Sequence, residues 1–208
     1  MRAFLGDIYE KALREWNLDG FKLDFIDSFY IHLKDPAEAD GYEGRDTKSV
    51  EEASVRLMDE VMSRLKAIKP DLLVGFRQTC IGPAILKYGN MFRDSDCPGD
   101  KNRNRRGVAR LRLTSGKGAV HGDMLEWHPT ESVEVAARSV LDSMFGVVQY
   151  SMMLRKLPKD HVAMIRHWAD FSQRHEEALL HGAFRAYNPE HGYPVLVGEG
   201  AAEDRPGL

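Results

Sequence analysis

The feature that most constrains this chain is an alternation. Short apolar runs at residues 21–25, 72–76, 90–96, 118–124 and 146–151 take turns with longer segments whose apolar residues recur at helical spacing. Each run is too short for a helix and is bounded by turn residues, so each reads as a strand buried on both faces. The opening segment, 2–16, sets the helical pattern: Phe4, Leu5, Ile8, Ala12, Leu13 and Trp16 fall on one face, and Asn17 and Gly20 then stop it. Further helices are expected at 50–68, 82–89, 103–115, 131–145 and 158–180. Thr47 or Ser49 would cap the second and Thr130 the fifth, with Glu131 and Glu134 favourable near its start. The last is expected to be the longest, opened by Pro158 and closed by Gly182. Alternation of this kind implies parallel strands joined by right-handed crossovers, hence an α/β protein. Two architectures satisfy it: an open doubly wound sheet, or part of a (β/α)8 barrel.

Composition removes several functional classes. With 208 residues and a net charge of −3 there is no basic footprint for nucleic acid. No apolar run approaches the roughly 20 residues of a membrane span, and the N-terminal stretch mixes charge with apolar residues, unlike a secretory signal. The eight histidines show no HxH or HExxH spacing, so no metal is expected. Cys80 and Cys97 form no CxxC and read as a reduced pair in a cytoplasmic protein. No glycine-rich phosphate loop succeeds a strand, which weighs against dinucleotide and nucleotide folds.

Charge stands at the strand ends instead. Lys22 and Asp24 close the first, with Asp27 just beyond. Arg77 and Gln78 come after the second; Arg93, Asp94 and Asp96 leave the third; His121 and Asp123 leave the fourth; Gln149 leaves the fifth. Polar side chains converging from successive strand ends form the pattern of a barrel's catalytic face. Two carboxylates on different strand ends suit glycoside hydrolysis, one as nucleophile and one as acid and then base. Side chains alternate along a strand, so Lys22 points to the same side as Asp24 and can hold it ionised. Asp94 is near enough in sequence to influence Asp96. Arg77 and Arg93 offer planar donor forks for hydroxyls or for fixing a carboxylate. Trp127 could stack on a sugar face, although a single tryptophan is more often core.

The segments GFKLDFID, FRQTCIGPAILKYGNMFRDSDCPGDKNRNRRGVARLR and AVHGDMLEWHPTESVEVAARSVLDSMFGVVQYSMMLRKLP resemble glycoside hydrolase family 36, the α-galactosidases or melibiases of clan D, over residues 19–182. The resemblance implies a partial TIM barrel, strands four to eight with their helices. K-x-D-F matches the nucleophile strand and gives that role to Asp24; R-x-S-D matches the acid/base segment and gives that role to Asp96. Lys22 and Arg93 match positions that contact galactose; Arg77, His121 and Asp123 lie in matching segments, and with Trp127 they complete the expected substrate-binding set. The implied activity is retaining, double-displacement cleavage of terminal α-galactosides, melibiose- or raffinose-type or on a galactosylated polysaccharide, with no cofactor.

By the same resemblance, strands one to three and an N-terminal β-sandwich are absent, and 183–208 reads as the start of a C-terminal β-domain, or as a disordered tail, after a catalytic domain at 1–182. The chain is therefore expected to be a fragment, inactive alone, self-associating or completed by the missing N-terminal half. The alternatives are a non-catalytic remnant that binds sugar weakly, an α-N-acetylgalactosaminidase or galactosyl transferase of the same clan, and a metal-dependent barrel hydrolase using Asp24, Asp96, His121 and Asp123.

Overall fold

The computed structural model of the chain describes residues 2–24, 26, 46–47, 50–77, 82–94 and 96–200. They fall in two compact units, 1–91 and 92–208. Phe25, Asp27, most of the loop at 28–48, the candidate cap Ser49, Gln78 and Cys80 lie outside the described residues. The α/β class expected from the alternation is present as a four-stranded parallel sheet in strict sequence order.

In the first unit, α1 (Arg2–Glu15) buries Gly6, Ala12 and Leu13 and packs against α2 (Val50–Ile68), with β1 (Gly20–Asp24) between them in sequence. Arg64 of α2 crosses α1 at Gly6, where an added Cβ would lie 2.4 Å from its guanidinium, and ion-pairs with Asp7 at 2.6 Å and Glu10 at 2.8 Å. The turn after α1 uses Asn17 in the left-handed region, φ 51°, a conformation asparagine tolerates. β1 pairs in parallel with β2 (Leu73–Arg77), aligning Leu23 with Phe76 and Asp24 with Arg77. Alternation then sorts the sheet into two faces. Leu23, Val74 and Phe76 are buried on one, as are Met58, Val61, Met62 and Leu65 of α2, spaced for a single helical stripe. Phe21, on that same face, meets the edge of Tyr9 of α1 at 5.3 Å. Lys22, Asp24 and Arg77 stand on the other face. The short helix α3 (Pro83–Leu86) leads to Asn90, whose side chain accepts from Val74 N at 2.8 Å and donates to Leu72 O at 3.1 Å, fixing the entry to β3 (Met91–Arg93).

In the second unit, α4 (Lys101–Thr114) is capped by Asp100, and β4 (Ala119–His121) comes after it. α5 (Val133–Ser143) is capped not by Thr130 but by Ser132, whose hydroxyl accepts from Val135 N; Thr130 instead bonds the ring of His128 at 2.7 Å. The run at 146–151 lies parallel to the chain leaving β4, but only as an isolated bridge, Leu125 to Tyr150, with Leu125 N donating to Gln149 O at 2.7 Å. The helix expected over 158–180 is divided: α6 covers Lys159–Arg174, and a π-helical turn covers Glu177–His181. At 16 residues α6 is shorter than the 19 of α2, so it is not the longest. The extra residue in the turn brings Leu179 into the core with Leu125, Trp127, Ala136, Val140, Met144 and Met164.

Residues 183–200 form an antiparallel hairpin, β5 (Ala183–Tyr187) with β6 (Val195–Glu199). The hairpin docks on the same unit. Phe184 packs at a tilt on Phe145, ring centroids 5.3 Å apart, and the Arg112 guanidinium lies over the Phe184 ring while donating to the carbonyls of Leu180 and Gly182. Gly198 permits the approach, because a Cβ there would sit 2.2 Å from the carbonyl oxygen of Ala178.

Candidate active site

In the first unit the candidate residues gather at the carboxyl end of β1. Asp24 Oδ1 accepts from Arg77 Nη1 at 3.0 Å, and its Oδ2 faces Lys22 Nζ at 3.6 Å. The parallel register puts Arg77 directly beside Asp24, and the strand period puts Lys22 on the same side. The carboxylate is 31% exposed, so it is reachable, and it lies against two cationic side chains. Lys22 itself is open, with 55% of its side chain exposed.

In the second unit the centre is Arg93, at the end of β3. Its guanidinium bridges two carboxylates, Asp96 and, at 2.9 Å, Asp123. These two aspartates differ sharply in environment. Asp123 is buried, and its oxygens also accept from Cys97 N at 2.6 Å and Met124 N at 2.9 Å. These contacts hold the loop that carries Asp96. Asp96 is 64% exposed on its side chain and is the accessible carboxylate of the pair. One donor of Arg93, Nε, is buried with no hydrogen-bond partner among the described residues. Unsatisfied groups of this kind are rare in native proteins.

Asp94 turns the other way. It packs on α4 at Gly107, where an added Cβ would lie 2.0 Å from its carboxylate, because adjacent residues leave a strand on opposite faces. His121 turns its Nδ1 onto the neighbouring carbonyl of Gly122 at 3.0 Å. Trp127 is buried: its indole N–H donates to His161 Nδ1 at 3.0 Å and its ring meets Tyr150 edge-on at 6.1 Å. Indole nitrogen is donor-only, so His161 accepts at Nδ1 and donates from Nε2 to the carbonyl of Glu131 at 3.1 Å. Burial pushes the Tyr150 phenol up to about 12 and the Cys97 thiol up to about 11; Asp94 and Asp123 add to the latter. Among the described residues no group of three or more His, Cys, Asp or Glu side chains could hold a metal ion.

Two residues of this region went unnoticed in the sequence. Asn104 is fully buried on α4; it accepts from Asp123 N at 2.7 Å and donates to Cys97 O at 3.1 Å, tying the two loops together. His161 fixes Trp127. Each is a polar residue at the first position of an apolar helical stripe, Asn104 with Gly107, Val108 and Leu111, and His161 with Met164, Ile165 and Trp168. That spacing is the signal that finds them. No protein-family model matches the chain, and no curated protein matches it.

Proposed function

We propose that this chain is the C-terminal part of the catalytic barrel of a retaining α-galactosidase-type glycoside hydrolase. The observation that carries the reading is Asp24: a reachable carboxylate at the carboxyl end of a parallel strand, held between Arg77 and Lys22. The strand order adds support. Four parallel strands in sequence order are compatible with a segment of a barrel, whereas a doubly wound sheet reverses its order at a switch point.

On this reading Asp24 attacks the anomeric carbon while Asp96 protonates the departing oxygen. Asp96 then takes a proton from the water that releases the galactosyl group, so the anomeric configuration is retained. Arg93, fixed by buried Asp123, sets where Asp96 starts, and Asp96 must part from that guanidinium and carry a proton before it acts as the acid. The resemblance requires barrel strands that these residues do not supply, so the chain alone is expected to be inactive on an aryl α-galactoside. Supplying strands one to three from a complete family member, in cis or as a second chain, should give turnover that Asp24→Ala and Asp96→Ala each abolish. Unchanged turnover in Asp24→Ala would reject the assignment.

A further inference from the structure

A pocket of about 470 Å³ opens in the second unit between residues 126–129 and 151–157, within the usual range for small-molecule sites. Both loops leave the bridged pair Leu125 and Tyr150, which run in parallel. The pocket therefore stands at the carboxyl ends of two parallel segments, the end at which α/β folds bind ligands. Trp127 contributes its buried floor, and Met152, Met153 and Pro129 add apolar wall. Glu126 and Lys156 line the same pocket, and among the described residues neither charged group has a hydrogen-bond or ion-pair partner. The nearby Lys101 and Glu131, by contrast, pair with each other at 3.5 Å.

A donor-only ammonium and an acceptor-only carboxylate over an apolar floor suit one ligand class best. A pyranose ring has an apolar C–H face and hydroxyls that both donate and accept. An apolar ligand would desolvate two charges without compensation, and an anion would face Glu126. The pocket is also tied to the Asp96 loop: Glu126 N donates to Pro98 O at 3.2 Å, two residues beyond Asp96. His161, by holding the Trp127 indole, positions the floor.

We propose that this pocket binds a neutral saccharide unit, with Glu126 accepting from and Lys156 donating to its hydroxyls. Given the function proposed above, on which this one step rests, that unit is the leaving-group sugar, because an acid/base acts at the oxygen joining the cleaved sugar to the departing one.

The test needs no turnover. The intact chain is titrated with glucose, and with cyclohexanol as an apolar ring of similar size, while the Trp127 indole and the Met152 and Met153 methyl signals are followed by NMR. Glucose should bind saturably and shift these signals, and cyclohexanol should not. Glu126→Gln and Lys156→Met should each weaken glucose by roughly tenfold, the loss of about one charged hydrogen bond. Both positions are exposed, and an unchanged near-ultraviolet CD spectrum certifies the fold of each variant. Absence of saturable glucose shifts, equal response to cyclohexanol, or wild-type affinity in both variants would overturn the proposal. Any of these would leave the roles of Asp24 and Asp96 standing, and inactive Asp24 and Asp96 chemistry would leave the pocket standing.

Discussion

Removing the Asp123 carboxylate should unfasten the loop that carries Asp96. Asp123→Ala takes away one ion pair to Arg93 at 2.9 Å and the acceptors for two backbone amides, Cys97 N at 2.6 Å and Met124 N at 2.9 Å. Arg93 is only 6% exposed on its side chain, so its charge would be left buried with Asp96 as its remaining carboxylate. Losing one partner of a buried pair costs about 3–5 kcal/mol, most of it the charge left behind. The Cys97 amide, if it stays dry, adds to the upper end of that range. With a urea slope of about 2 kcal/mol per molar, the unfolding midpoint of the second unit should fall by roughly 2 M. The assay is urea denaturation followed by tryptophan emission, since Trp127 and Trp168 both report on that unit. The double variant Arg93→Leu with Asp123→Leu should cost less than the sum of the two single changes, because no charge is then stranded. A loss below about 1 kcal/mol in Asp123→Ala, or strict additivity in the double variant, would refute the buried-pair account.

The remaining predictions concern neighbouring groups. The Cys97 thiol, held near 11 against an ordinary 9.0, keeps its proton in the folded state over a range where the unfolded thiol ionises. Its contribution is therefore full below about pH 9 and is lost as pH rises toward 11, on the order of 2 kcal/mol; urea midpoints at pH 8.5 and 10.5 should fall less in Cys97→Ala than in the parent chain. In a Cys80→Ser background, Cys97 should also resist a thiol reagent at pH 8 until urea is added, and equal rates in both states would contradict its burial. Replacing His161 with phenylalanine strands the Trp127 indole N–H and should cost about 1–3 kcal/mol with a changed near-ultraviolet spectrum, whereas an unaltered Trp127 signal would show that the bond does not position it. Ser132→Ala should cost about 1 kcal/mol and Thr130→Ala much less, and the reverse order would restore Thr130 as the cap.

The helices and strands were legible wherever periodicity and local punctuation agree. Residues 50–68 carry a clean apolar stripe, and α2 has those bounds. The side of β1 that carries Lys22 and Asp24 was also legible, because alternation along a strand is a local property. The pairing of Asp24 with Arg77 was not, since it depends on a register between strands some fifty residues apart. Asp123 could be recognised as a strand-exit carboxylate. Its burial could not, because that results from Arg93, Cys97 and Asn104 closing around it from three separate segments. That Ser132 and not the expected Thr130 caps α5 rests on one residue's backbone: Ser132 is extended at φ −68° and ψ 153°, and the helix begins directly after it. The division of the last helix reflects tertiary demand on Leu179 and the hairpin, which outweighs the local helical pattern of its sequence.

The measurement that most directly tests the central claim is the anomeric configuration of the azide product. It is made in the completed barrel with an activated aryl α-galactoside and sodium azide, read by NMR. Without the nucleophile, azide can only attack the substrate from the opposite face, so Asp24→Ala should regain turnover and release β-galactosyl azide. With the nucleophile present and the base missing, azide replaces water on the covalent intermediate, so Asp96→Ala should release α-galactosyl azide. Opposite configurations from the two variants are the expected result. The same configuration from both variants, or the two reversed, would contradict the roles given to Asp24 and Asp96.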